Sequence, residues 1–74
     1  MWEPHTYKVI EIIGTSTVSW EDAAQKAISQ AAEHLKDLRI GEVIKQDCKI
    51  EGGKIVMYRT KLDVSFRFHG ASEK

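Results

Sequence analysis

The chain of 74 residues has few of the features that mark secreted, metal-binding or membrane-spanning proteins. Its one cysteine, Cys48, excludes an intrachain disulfide, so nothing supports a secreted fold held by disulfides. Its three histidines, His5, His34 and His69, are scattered and lack the spacing of metal ligands. No apolar run is long enough to cross a bilayer and no secretion signal is visible, so we expect a cytoplasmic protein.

The charge balance is neutral as well, with 11 Lys+Arg against 11 Asp+Glu and a net charge of +0. Such a balance lacks the overall charge of a protein that binds nucleic acid or membrane surfaces, and we expect neither partner. A chain of this length buries only about 60% of its unfolded surface. Because no disulfide or metal site is evident, we expect self-assembly to supply the additional stability that so small a domain needs.

The hydrophobic pattern predicts one α+β domain over residues 1–74 with the order β-α-β-β. The predicted elements are a strand at 6–13, a helix at 19–37, a strand at 40–50 and a strand at 55–68. Gly14 is expected to end the first strand, and the glycines of 51–54 to form a hairpin turn. Residues 1–5 and 69–74 are expected to form a flexible leader and tail.

The last predicted strand is long for so small a domain. About 14 residues at roughly 3.3 Å each reach about 45 Å, whereas the radius of gyration expected for this chain length is near 11 Å. Such a strand must bend sharply or project beyond its own subunit. This independently favours contacts with other copies of the chain.

Several segments together resemble the dodecin family over residues 7–68. They are YKVIEIIGTS at 7–16, SWEDAA at 19–24, GEV at 41–43 and YRTKLDVSFRF at 58–68. The resemblance implies a three-stranded antiparallel sheet wrapped around one helix, and a hollow homododecamer built from trimers. Dodecins are not known as enzymes; many bind flavins as stacked pairs at dimer contacts and store them, and some hold coenzyme A.

Two positions depart from the flavin-binding pattern of that family. Ile40 stands where those members have a tryptophan that stacks on the flavin ring, and Arg59 stands where they have a glutamine that hydrogen-bonds the ring edge. An aliphatic side chain lacks the π face of an aromatic one, and an arginine offers only donors. We therefore expect binding of riboflavin, FMN or FAD to be weak or lost. The sequence resembles a branch of the family that has been linked to calcium.

Each of these residues also has a simpler interpretation. For Arg59 we favour an ion pair between subunits, with Asp63, Glu42 or Glu11, over a contact with a ligand phosphate or carboxylate. For Ile40 we favour a hydrophobic contact at a dimer interface over a role in lining a ligand site. The Gly-Thr-Ser segment at 14–16 fits a turn that caps the helix better than a phosphate-binding loop.

Calcium requires six to eight oxygen ligands, and no linear motif in the chain supplies them. A symmetric assembly could supply these ligands, because one aspartate near a threefold axis contributes a carboxylate from each of the subunits around it. The metal ligands are therefore unknown from sequence. The candidates are Asp22, Asp37, Asp47 and Asp63.

The sequence thus predicts a homododecameric protein that binds or stores a small ligand or ion, with no enzymatic activity. No set of nucleophile, base and acid is visible that would support catalysis. Two alternatives stay open: a ligand-free structural scaffold, and a flavin-binding dodecin that tolerates Ile40 and Arg59.

Overall fold

One helix packs against one face of a three-stranded antiparallel sheet in the computed structural model, which describes residues 6–67. The elements are β1 (Tyr7–Ser16), α1 (Trp20–Ala32), β2 (Leu38–Glu51) and β3 (Lys54–Arg67). The strand order is β1-β3-β2, so β3 lies in the centre and both pairings are antiparallel. The predicted α+β class and β-α-β-β order are confirmed. The predicted leader and tail lie outside the described residues.

Serine side chains hold the start of α1. The Ser19 hydroxyl accepts the backbone N–H of Asp22 at 3.0 Å, which is the usual N-cap contact. The Ser16 hydroxyl accepts the N–H of Val18 at 2.9 Å and donates to the Asp22 carboxylate at 2.6 Å. The capping interpretation of the segment 14–16 is therefore confirmed. The same residues also continue β1, so Gly14 does not end that strand as predicted.

The helix ends at Ala32 rather than at residue 37, where the apolar spacing placed its end. Beyond it the chain turns, and Asp37 adopts a positive φ of 59°, a left-handed conformation that a right-handed helix does not contain. Leu35 and Leu38 still lie partly buried against the sheet. The apolar pattern continues through a non-helical segment, which is why spacing alone predicted too long a helix.

The core lies between α1 and the inner face of the sheet, the face that carries Thr60, Leu62 and Val64 on β3. These three side chains are at most 2% exposed, as the alternating pattern of the strand predicts. Ala23 and Ala27 are the buried residues of α1, and Ala27 belongs to one cluster with Leu62 and Val64. Small side chains at this contact allow the helix to lie close to the sheet.

The hairpin of β2 and β3 extends well beyond the helix. Each strand has 14 residues, and the molecule measures 55 × 22 × 16 Å with a radius of gyration of 15.0 Å. That radius exceeds the roughly 11 Å expected for a compact chain of this length. The predicted projection of the last strand is thus confirmed. At the tip, Gly52 and Gly53 both adopt positive φ, as a tight hairpin turn of this type requires.

Many apolar side chains of the sheet are exposed in the single chain. They include Val9, Ile13, Ile40, Val43, Ile44, Ile50 and Ile55, each between 45% and 63% exposed. Such a row of exposed aliphatic residues is characteristic of surfaces that contact another protein. Among residues 6–67, no helix combines the length and apolar character needed to cross a membrane.

Candidate functional site

The candidate site lies on the outer face of the sheet, which points away from α1. Both residues predicted from the sequence lie there: Ile40 on β2 is opposite Ser65 of β3, and Arg59 of β3 is opposite Asp47 of β2. Residues 59 and 65 are six positions apart along β3, which corresponds to about 20 Å. One chain therefore cannot bring Ile40 and Arg59 around the same small ligand. A site that uses both positions needs two chains.

Arg59 forms a bidentate ion pair with Asp47 of the same chain. Its Nε donates to Oδ1 at 2.7 Å and its Nη2 donates to Oδ2 at 2.6 Å. These hydrogen bonds, and then the opposite charges, lower the pKa of Asp47 and raise the pKa of Arg59. Within one chain the carboxylate that pairs with Arg59 is Asp47; the ion pair between subunits expected from the sequence, with Asp63, Glu42 or Glu11, stays a prediction.

Asp47 is also tied to the helix through its backbone. The indole Nε1 of Trp20, the first residue of α1, donates to the Asp47 carbonyl oxygen at 2.9 Å. The Trp20 ring meets Tyr58 edge-on with a centroid separation of 4.8 Å, and the buried Thr60 hydroxyl donates to the Trp20 carbonyl oxygen at 2.9 Å. These contacts fix this part of β2 against the core.

The four aspartates considered for calcium differ in their surroundings. Asp22 is held by the Ser16 hydroxyl and by Lys26 at 3.2 Å, and these contacts lower its pKa. Asp47 is held by Arg59. Asp37 lies in the loop after α1. Of these four aspartates, only Asp63 lies directly opposite an acidic residue on each of the two neighbouring strands.

Those two acids, Glu11 on β1 and Glu42 on β2, flank Asp63 on the outer face of the sheet. We call these three residues the acidic row. Glu11 also contacts Lys61 at 3.4 Å. Within residues 6–67, no three His, Cys, Asp or Glu residues of one chain are grouped closely enough to hold a metal ion. A calcium site of the predicted kind therefore needs carboxylates from more than one chain.

A small recess surrounds the Arg59–Asp47 pair. It has a volume of about 130 Å³ and is lined by Ile13, Lys45, Asp47, Arg59 and Lys61. Arg59 and Asp47 were candidates from the sequence, whereas Lys45 and Ile13 were not. The proximity of these four residues depends on the strand register, which the alternation of the sequence does not specify.

The Arg59–Asp47 pair predicts a pH dependence of stability. Because the folded state lowers the pKa of Asp47 below its ordinary 3.8, the pair stabilises the fold above about pH 4 and this contribution is lost as the pH falls further. We expect Asp47→Asn to be less stable than wild type in urea at pH 7 and low salt, with this difference in stability becoming smaller as the pH is lowered to 3. Glu51→Gln is the control, since Glu51 forms a single exposed contact with Lys49 at 3.3 Å in the same hairpin. An equal difference in stability between Asp47→Asn and wild type at pH 7 and at pH 3 would contradict a stabilising role of the ion pair.

Comparison with known proteins agrees with the fold. The chain is 44% identical over 68 residues to the calcium dodecin of Mycobacterium tuberculosis, covering 92% of this chain and 96% of that protein. A crystal structure of that calcium-chelating protein, described as having a novel calcium-binding site, aligns with a TM-score of 0.77 and 42% identity over 93% of this chain and 99% of its own.

Dodecins from other bacteria have the same fold. The structure of dodecin from Streptomyces coelicolor aligns with a TM-score of 0.88 and 30% identity, covering 95% of this chain and all of that one. Dodecin from Streptomyces davaonensis gives a TM-score of 0.85 at 29% identity over 92% of this chain and 100% of its own. The family model named Dodecin matches residues 6–69. On this evidence, the chain belongs to the dodecin family.

Proposed function

We propose that this chain is the subunit of a hollow homododecamer that binds and stores a small ligand or ion, with calcium favoured over flavin. The observation that carries the proposal is the pair of site positions: Ile40 offers no aromatic face, and Arg59 is already bound by Asp47. The mechanism is binding alone, with sites formed between chains. A cytoplasmic location stays a prediction from the sequence.

Assembly is supported by two features of the single chain. Its sheet exposes aliphatic side chains along the projecting hairpin and on β1, and burying such surface is the main favourable term in association. The distance of about 20 Å between Ile40 and Arg59 also makes any site that uses both incomplete in one subunit. A dodecamer built from trimers, as the family resemblance implies, provides the neighbouring chains.

Flavin binding is expected to be weak for a physical reason at each position. Ile40 can cover a flavin ring by dispersion, but stacking on an aromatic side chain contributes about 1–3 kcal/mol per ring. The guanidinium of Arg59 supplies donors only, whereas the ring edge presents donors and acceptors. A flavin would also have to approach beside the bidentate contact with Asp47.

Calcium is supported by the likeness to calcium dodecin and by the acidic row. Asp22 and Asp47 already bind cationic side chains, so a calcium ion at either would displace Lys26 or Arg59. Asp63 lies between Glu11 and Glu42, where like charges oppose one another across the sheet and a cation would relieve the repulsion. Asp63 is therefore the first aspartate to test.

The test combines native mass spectrometry with calcium and riboflavin titrations of the purified protein. We expect a colourless dodecamer that binds calcium, and riboflavin fluorescence that is barely quenched. Asp63→Asn should weaken calcium binding by about tenfold or more, since it removes a charged ligand from each site. Asp22→Asn is the matched control and should leave calcium affinity unchanged.

Three outcomes would contradict the proposal in different ways. A mass corresponding to a monomer or dimer would contradict the proposed dodecameric assembly. Bound flavin visible in the absorbance spectrum would mean that the site tolerates Ile40 and Arg59. A dodecamer that holds neither ion nor ligand would favour the alternative of a structural scaffold.

A further inference from the structure

The recess around Arg59 on the outer sheet face is lined mainly by cationic side chains. Of its five lining residues, three are cationic, one is the carboxylate Asp47 and one is Ile13. Asp47 is shared: it binds Arg59 directly, and the charge of Lys45 adds to the lowering of its pKa. One carboxylate therefore lines the recess beside three cations. Glu11 pairs with Lys61 from outside the lining, which leaves one excess positive charge.

A β-bulge places Lys45 in this recess. The register pairs Val43 with Leu62 and then Lys45 with Lys61, so Ile44 is the additional residue on β2. Counted from the pair of Val43 and Leu62, a ladder without the bulge would set Lys45 opposite Thr60, whose side chain lies on the inner face. Bulges commonly redirect a side chain in this way and are typical near binding sites. Here the bulge sets two lysines directly opposite each other, which is unfavourable across a sheet unless an anion lies between them.

We propose that this recess binds a phosphate group through Lys45, Lys61 and Arg59. The proposal does not depend on calcium binding, although Asp47, one of the aspartates considered above for that ion, also lines the recess. The volume of about 130 Å³ suits a tetrahedral anion and excludes a whole nucleotide, so a larger ligand would place only its phosphate here.

Each cation has a defined contribution. Arg59 uses two of its five N–H groups for Asp47, which leaves three donors and holds the guanidinium plane in place. Lys45 contributes an ammonium group from β2. Lys61 contributes another from β3, where its contact with Glu11 at 3.4 Å is long enough to be shared with an anion. Ile13 forms an apolar wall on the β1 side.

The experiment is a calorimetric titration of inorganic phosphate into the assembled protein, in calcium-free buffer at low salt. We expect saturable binding that weakens as sodium chloride is added. Lys45→Gln and Lys61→Gln should each lower phosphate affinity by about tenfold or more, because each removes a charge-assisted hydrogen bond. Oligomer mass and melting temperature should match wild type in both variants.

Lys49→Gln is the matched control. Lys49 is on the same strand and is equally cationic, but it lies outside the recess beside Glu51, so its replacement should change phosphate affinity less than twofold. An equal loss for Lys45→Gln and Lys49→Gln would show nonspecific charge attraction and overturn the site. Absence of saturable phosphate binding by the wild-type assembly would overturn it too.

Two further titrants separate free phosphate from the phosphate of a larger ligand. ADP carries phosphate groups and adenosine does not. Tighter binding of ADP than of inorganic phosphate, lost in Lys45→Gln and absent for adenosine, would support a phosphate ester as the ligand. Equal binding of both phosphate compounds would support the free anion. Tight adenosine binding unaffected by Lys45→Gln would count against a phosphate site.

Discussion

Gly14→Ala is expected to lower the free energy of unfolding by about 3 kcal/mol or more, among the larger effects of overpacking. A Cβ at this position would lie 1.9 Å from the carbonyl oxygen of Ala23 and 2.9 Å from the Cβ of Ala27. Both neighbours belong to α1, and one contact is with backbone, so no rotamer change can relieve it. The helix would have to move away from the buried pair Leu62 and Val64.

Gly41→Ala provides the matched control for that substitution. Gly41 also lies on a strand beside β3, yet a Cβ there meets only the ends of the Ile28 and Leu62 side chains, both at 3.6 Å. We expect a change within about 1 kcal/mol. Thermal unfolding at equal chain concentration should separate the variants by about 10 °C or more. Similar melting temperatures for both would contradict the close contact of α1 with Gly14.

The sequence predicted the elements whose residues alternate or recur regularly. Thr60, Leu62 and Val64 alternate along the sequence and lie on the inner face of β3, as the period of two of strand side chains predicts. The projection of the hairpin followed from the length of its last strand. The sequence predicted too long a helix because apolar residues continue beyond Ala32, the last residue of α1. The chain turns after that residue, and Asp37 adopts a positive φ.

The partner of Arg59 could not be predicted because it depends on bulges. The turn pairs Glu51 with Lys54, and a regular ladder from that pair would set Arg59 opposite Gln46. A shift between Lys49 and Ile50 moves the register by one residue and sets Asp47 opposite Arg59 instead. A one-residue slip reverses the face of every side chain beyond it, so the recess is a product of the bulges rather than of the alternation.

Restoring the family's flavin contacts by Ile40→Trp with Arg59→Gln is the second substitution with a large expected effect. Each restored tryptophan contributes about 1–3 kcal/mol of stacking, which corresponds to about ten- to hundredfold in affinity. We expect riboflavin fluorescence to be quenched by the double variant in an assembled particle. Since Ile40 and Arg59 of one chain are about 20 Å apart, dissociated chains should not quench.

The ion pair complicates that substitution in a testable way. Arg59→Gln leaves the Asp47 carboxylate without its two hydrogen bonds, so an unpaired negative charge would stand beside the flavin ring edge. The triple variant with Asp47→Asn removes that charge while keeping the side chain's shape, and it should bind riboflavin more tightly than the double variant. If neither variant quenches riboflavin in an intact dodecamer, the crevice between subunits itself differs from that of flavin-binding dodecins. The expected weakness of flavin binding would then reside in the arrangement of the subunits and not in Ile40 and Arg59 alone.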